Sequence, residues 1–389
     1  MLSVAEAKAR VLALAKVTDV EEVSLTAASG RVLAQALLAH HDQPPFRTAT
    51  MDGYAIFGAH GAVGERFDVI GAARAGEAYA GKLEAGQAVR IFTGAPVPSE
   101  SARVIIQEDV TLDGTSITLC EKLESGANIR AIGADFRVGQ GLSPRRMSPF
   151  DVALAAAMNH AKVPVRRKPV VAVIATGDEL VAPGSALQAD QIIASNSYGI
   201  AALVERAGGV ARIMPIARDT ADSLKAAFDL AAGADLVLTI GGASVGEHDL
   251  VKQVAGEMGL DLDFWKIAMR PGKPLLAGRL NGVPMIGLPG NPVSALVCAV
   301  LFVVPLVEAM LGLPVDEKAL SEAVLNDDIG ANGPRTHFMR ARLTDEKIRA
   351  FGSQDSALLT ILAEANALIV RPENDPARAA GERVSYFLL

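Results

Sequence analysis

Between residues 170 and 312, short apolar runs alternate with stretches of helical period. VVAVIAT (170–176) leads to SNSYGIAALVERAGG, a helix with Ser195 or Asn196 available as cap and Gly208 as terminator. RIMPI (212–216) leads to a helix beginning near Asp219, and DLVLTI (235–240) to one beginning near Asp249. PMIGL (284–288) runs into an apolar helix after Pro292. Such a rhythm predicts a mostly parallel sheet covered by helices, with ligands at the carboxyl ends of its strands. Residues 44–145 differ, with short β-prone pieces (RFDVIGAA, QAVRIF, ARVIIQEDVTLDGTSITLC) broken by Gly, Pro and Asp-Gly. MLSVAEAKARVLALA at the start and MSPFDVALAAAMNHA (147–161) read as helices, so the β-rich part is an insertion on a helical stalk. VPVRRKP (163–169) and GLPVDEKAL (312–320) read as linkers, and the alternating tail from 320 as a small β domain. Four parts follow: 1–46 with 141–168, 47–140, 169–312 and 313–389.

Half of the 389 residues are hydrophobic and 21% are charged, enough apolar material for a packed core. A net charge of −7 argues against nucleic acid or an anionic membrane as the main partner. An anionic ligand must then be gathered by a local basic cluster. Cys120 and Cys298 form no paired motif, which argues against a zinc or disulfide framework and suits a reducing cytoplasm. Glu6, Lys8 and Arg10 interrupt the first helix, so it does not read as a signal peptide. The apolar stretch 295–311 contains Pro305 and Glu308 and reads as a buried helix, not a membrane span.

The loop GGASVG (241–246) sits between a strand and a helix and contains the G-x-S-x-G pattern of a nucleophile elbow. Only His248 and His337 follow Ser244, one four residues away and the other beyond the second linker, so a triad is disfavoured. Glycines there suit an anion cradle at a helix N-terminus. Asp249 and Asp219 each have a helix-capping role open to them, and Glu179 in ATGDEL sits just past a strand end. WKIAMRPGKP (265–274) gathers Lys266, Arg270 and Lys273 in a turn stiffened by Pro271. GLPGNPVS (287–294) places Ser294 in a first helical turn. PPFRTATMDGYAIF, TGAPVP and GANIRAIGADF carry Asp52, Thr93 and Asp135 in turn-like settings.

Seven motifs in order (MDGYA, TGAPVP, GANIRxxGxD, TGDEL, GGxSVGxxD, FWKxAxxPGKP, GLPGNPVSA) resemble the MoeA family of molybdopterin molybdenumtransferases, which includes the E domain of gephyrin. The resemblance covers nearly the whole chain and implies a MogA-like central α/β domain. It also implies Mg2+-dependent insertion of molybdate into adenylylated molybdopterin with release of AMP. Carried over residue by residue, Arg270, Lys273, Pro274, Ser294, Arg335 and Ser356 would hold molybdate. Thr93, Glu179, Asp219, Ser244, Asp249 and Lys266 would line the pterin–nucleotide cleft, with Glu179 and Asp249 nearest magnesium. The family's homodimer would bring Asp52 and Asp135 across the subunit interface. Asp52, Glu179, Asp249 and Lys266 are the catalytic candidates, and the upstream molybdopterin adenylyltransferase is the expected protein partner. Position 270 is Arg where members often carry Lys, and Ala243 replaces a common Val. The alternatives are an adenylyltransferase of the same pathway, which would need only the α/β domain, and a gephyrin-like scaffold.

Overall fold

A computed structural model describes residues 1–242, 250–315 and 320–389. The chain divides into two compact units: Met1–Glu21 with Gly30–Ala34 and Val165–Leu389, and Glu22–Ser29 with Gln35–Pro164.

In the larger unit, a six-stranded sheet has the order 210–213, 170–175, 236–240, 283–288, 276–280, 260–265. The first four strands are parallel, as the apolar runs predict, and Leu276–Leu280 turns the sheet antiparallel at one side. The buried pattern of Leu236–Ile240 is continuous, which is what a strand covered on both faces requires. Helix Asn196–Ala207 starts after Ser195 and stops at Gly208, whose φ of 99° is the left-handed cap that glycine adopts without strain. The helix expected near Asp219 begins at Ala221.

Pro292–Met310 is one helical run that includes a π turn at Ala299–Val303. Pro305 lacks the N–H that would reach the Leu301 carbonyl and its ring crowds that oxygen, so the wider π turn just before it relieves both. The run is long and apolar enough to cross a membrane, yet 67% of its most apolar window is buried. Val297, Phe302, Val303 and Leu306 sit in the main core with Val173, Leu238 and Ile286. Helix Val4–Ala13 also enters that core through Ala7 and Val11 and opens with a Ser3–Glu6 capping box.

The tail forms a closed barrel of five strands, Ser321–Leu325, Thr336–Thr344, Lys347–Ala350, Ala367–Arg371 and Arg383–Leu388. Leu325, Ala341, Ile348, Ile369 and Val384 fill it. Closure removes the exposed edges that so small a sheet would otherwise present.

Residues 163–169 are not simply a linker. Lys162–Arg166 is a strand whose Val163, Pro164 and Val165 are all buried, while Lys162 is exposed and Arg166 is half-buried. Val165 bridges to Leu33, and the Arg166 N–H donates to the Val32 carbonyl at 2.8 Å.

The smaller unit holds a six-stranded sheet ordered 103–106, 53–56, 87–91, 66–73, 116–119, 110–113. The Asp-Gly signal at 113–114 closes the hairpin between its last two strands, with Gly114 at φ 60°. Helix Pro149–Ala157 is capped by Ser148 and Asp151.

Candidate active site

Strands Val170–Ala175, Leu236–Ile240 and Val283–Leu288 run parallel and end side by side. Each gives way to a Gly-containing turn: Thr176-Gly177, Gly241-Gly242 and Pro289-Gly290. A cleft of about 1020 Å³ opens there, lined by Glu179, Asp219, Gly242, Pro274, Asn291 and Ser294 among others. Gly242 is obligatory: its φ is 65°, and a Cβ would lie 2.2 Å from the Val251 Cγ2. Ser244 and Asp249 lie outside the described residues.

Glu179 folds back over its own turn, with Oε2 2.5 Å from where a Cβ on Gly177 would sit. A side chain at 177 would therefore evict the carboxylate. Among the described residues that carboxylate accepts no hydrogen bond, so its lone pairs remain available to a ligand. Its loop is held through the backbone instead. Arg218 Nη1 donates to the carbonyls of Asp178 (2.7 Å) and Leu180 (3.4 Å), and the Asp219 N–H donates to Asp178 Oδ1 at 3.1 Å. Thr220, not Asp219, caps the next helix by accepting from the Ser223 N–H. Asp219 is thereby released from the capping role and faces the cleft.

The opposite wall joins helix Pro292–Cys298 to the barrel domain. Asn291 Nδ2 donates to Ser356 Oγ at 3.0 Å, and the Val293 N–H donates to the Ser356 carbonyl at 3.0 Å. Ser294 is buried beside them at the positive end of the helix. Met269–Arg270 pairs in parallel with Thr336–His337, and Arg335 Nη1 reaches the Met269 carbonyl at 3.4 Å. Burial, then the charges of Arg270, Arg340, Arg371 and Arg335, hold His337 down at about 4. The histidine is therefore neutral near pH 7 and a poor general base. Lys266 adopts φ 76°, a conformation rarely taken by side chains other than Gly, Asn or Asp. Lys273 contributes its carbonyl to the Ile267 N–H.

One residue here was not singled out from sequence. Arg340 is 0% exposed, yet only its Nη2 is engaged, donating to the Asp355 carbonyl at 3.0 Å. Its Nε and Nη1 have no hydrogen-bond partner among the described residues. Burial and the neighbouring Arg270 charge both press its pKa downward, so the fold holds a cation where solvent does not help it. The signal available in sequence was an arginine inside the apolar strand HFMRARLT.

In the smaller unit, Asp52 and Thr93 come together. Asp52 Oδ1 accepts from the Thr93 N–H (2.7 Å) and hydroxyl (2.8 Å). Those two bonds, with a lesser contribution from Arg90, hold the carboxyl below its usual range. Arg90 lies 4.8 Å from the Tyr54 ring centroid and 5.0 Å from that of Phe92. Asp135 is exposed and fixed through its N–H to the Gln43 carbonyl. No group of three or more His, Cys, Asp or Glu poised to hold a metal ion occurs among the described residues.

Comparison with known proteins places the whole chain. Residues 2–159 match the MoeA N-terminal region (domain I and II), 172–309 a probable molybdopterin binding domain, and 322–389 the MoeA C-terminal region (domain IV). A molybdopterin molybdenumtransferase of Nostoc sp. is 34% identical, over 94% of this chain and 88% of that protein. One of Haemophilus influenzae is also 34% identical, over 99% and 98%. The solved structure of a molybdopterin biosynthesis MoeA protein from Pyrococcus horikosii aligns with a TM-score of 0.86 at 33% identity, covering 100% of this chain and 99% of that one.

Proposed function

The chain belongs to the molybdopterin molybdenumtransferase (MoeA) family, a transferase family of molybdenum cofactor biosynthesis, and on that premise we propose how its residues act. The reaction is insertion of molybdate into adenylylated molybdopterin, with release of AMP. The observation that carries the reading is the buried Arg340, which has two donor nitrogens unengaged among the described residues and donates to the Asp355 carbonyl, next to the Ser356 that bonds Asn291 and Val293. A tetrahedral dianion is the ligand such donors suit, through charge-assisted hydrogen bonds. Arg270, Lys273, Pro274, Ser294, Arg335 and Ser356 complete the molybdate pocket in this reading.

In this reading Thr93, Glu179, Asp219, Ser244, Asp249 and Lys266 bind the pterin–nucleotide part of the substrate. Magnesium takes one or two carboxylates together with water and phosphate oxygens, and the unengaged Glu179 carboxylate fits that donor set. Glu179 and Asp249 would hold it, and the ion would neutralise charge on the phosphates as AMP departs. Asp52, kept ionised by Thr93, and Asp135 act across the subunit interface of a homodimer in this reading. The reading further includes a homodimer, a cytoplasmic setting suited to two free cysteines, and an upstream adenylyltransferase as supplier of substrate.

The test is AMP release from adenylylated molybdopterin by the purified chain, with magnesium, in the presence and absence of molybdate. Molybdate-dependent release is expected. Release indifferent to molybdate, or adenylylation of free molybdopterin from ATP, would overturn the proposal.

A further inference from the structure

Trp265 is the only tryptophan in the chain and ends the strand Leu260–Trp265. In an extended strand, adjacent side chains point to opposite faces. Lys266 departs from that alternation: its φ is 76°, and its Nζ stands 3.6 Å from the centroid of the Trp265 ring. The strained residue is held in place on both sides. The Lys266 N–H donates to the Leu275 carbonyl at 3.1 Å and the Ile267 N–H to the Lys273 carbonyl at 3.0 Å. A second ammonium, Lys252 Nζ from helix Leu250–Glu257, lies 4.5 Å from the same ring centroid. The indole thus ties that helix to the turn preceding Arg270.

Left-handed backbone in a lysine is unfavourable, and such outliers persist where the surroundings fix them for a purpose. Resting on the reading of Lys266 as a substrate contact, we propose that Trp265 is a positioning residue. Its π face seats the Lys266 ammonium, so that the charge meets the phosphate groups of the substrate from a fixed point and need not be ordered on binding. The ring, not its N–H, does this: Nε1 is buried without a hydrogen-bond partner among the described residues. Phenylalanine therefore preserves part of the device without abandoning an acceptor, whereas leucine removes it.

The experiment is AMP-release kinetics of the full chain carrying Trp265→Phe or Trp265→Leu, each with and without Lys266→Met, alongside thermal melting. Trp265→Leu should lower kcat/KM roughly tenfold, near the upper range for a partly desolvated cation–π contact, and Trp265→Phe by about threefold. In the Lys266→Met background neither should have a further effect. Equal losses in both backgrounds would reduce Trp265 to a packing residue. If Lys266→Met itself reacts like the parent, the reading of Lys266 falls. The seating is then judged separately from the substrate-free emission of Trp265, which Lys266→Met should shift if the ammonium lies on the ring. Unchanged emission overturns the seating, whatever the kinetics show.

Discussion

Asp52, half-buried in the smaller unit, and Glu179, exposed in the larger, are both carboxylates near strand ends, but they are held by different means. Asp52 is fixed at the carboxylate itself, by the amide and hydroxyl of Thr93. Glu179 is fixed at its backbone, where Arg218 grips the carbonyls on either side. The first arrangement stabilises a charge and occupies an oxygen. The second places a carboxylate while leaving both oxygens unengaged among the described residues, which suits a group that must take up a cation or phosphate-bound water. How a carboxylate is anchored therefore separates a charge to be kept from a ligand to be offered.

Substitutions at four positions probe that contrast. Glu179→Gln should cost the most, about a hundredfold in turnover, as expected when a charge aimed at the reacting group is removed. Its melting temperature should stay near the parent's, because no hydrogen bond of the fold is lost. Arg340→Met comes next, raising KM for molybdate by roughly tenfold or more in AMP-release assays. Its stability should hold or rise, since a buried, partly unengaged cation is replaced by an apolar chain of similar length. Lysine at 340 should not rescue binding, for it lacks the planar fork. Arg218→Met should lower turnover about threefold, less than the full worth of a charge-assisted bond to a carbonyl, because the loop keeps its backbone bonds from Ile192 and Leu180. Amide hydrogen exchange over residues 177–181 should speed up in that variant and not in Glu179→Gln. Thr93→Val should have the smallest effect near neutral pH. It removes one of the bonds that depress the Asp52 pKa, so that pKa rises and the acid limb of activity moves to higher pH. A limb that stays put would detach Asp52 from the reaction.

The cleft was legible because its determinants are local: apolar runs ending in glycine turns mark strand ends, and helices follow at once. The same logic located Glu179, Asp219 and Ser294. It failed where the determinant is a distant neighbour. In HFMRARLT the alternation cannot say that Arg340, rather than Arg342, is enclosed, because the loop carrying Asp355 does the enclosing. In VPVRRKP the basic residues obscured a strand whose valines are buried. The capping role left open for Asp219 was decided by one bond to the adjacent Thr220. Nothing in the letters WK announces left-handed backbone, since the constraint comes from the ladder with Leu275.

The two bonds that Ser356 makes to Asn291 and Val293 bear on how the gene can be cut and rejoined. The barrel closes on itself and looks like a cassette that recombination could exchange freely. Yet one amide of helix Pro292–Cys298 is satisfied only by the incoming cassette, and the enclosed arginine travels with that cassette. A chimera taking residues 322–389 from a distant relative can fold each part and still lose the pocket at the seam. The two segments are heritable only as a matched pair.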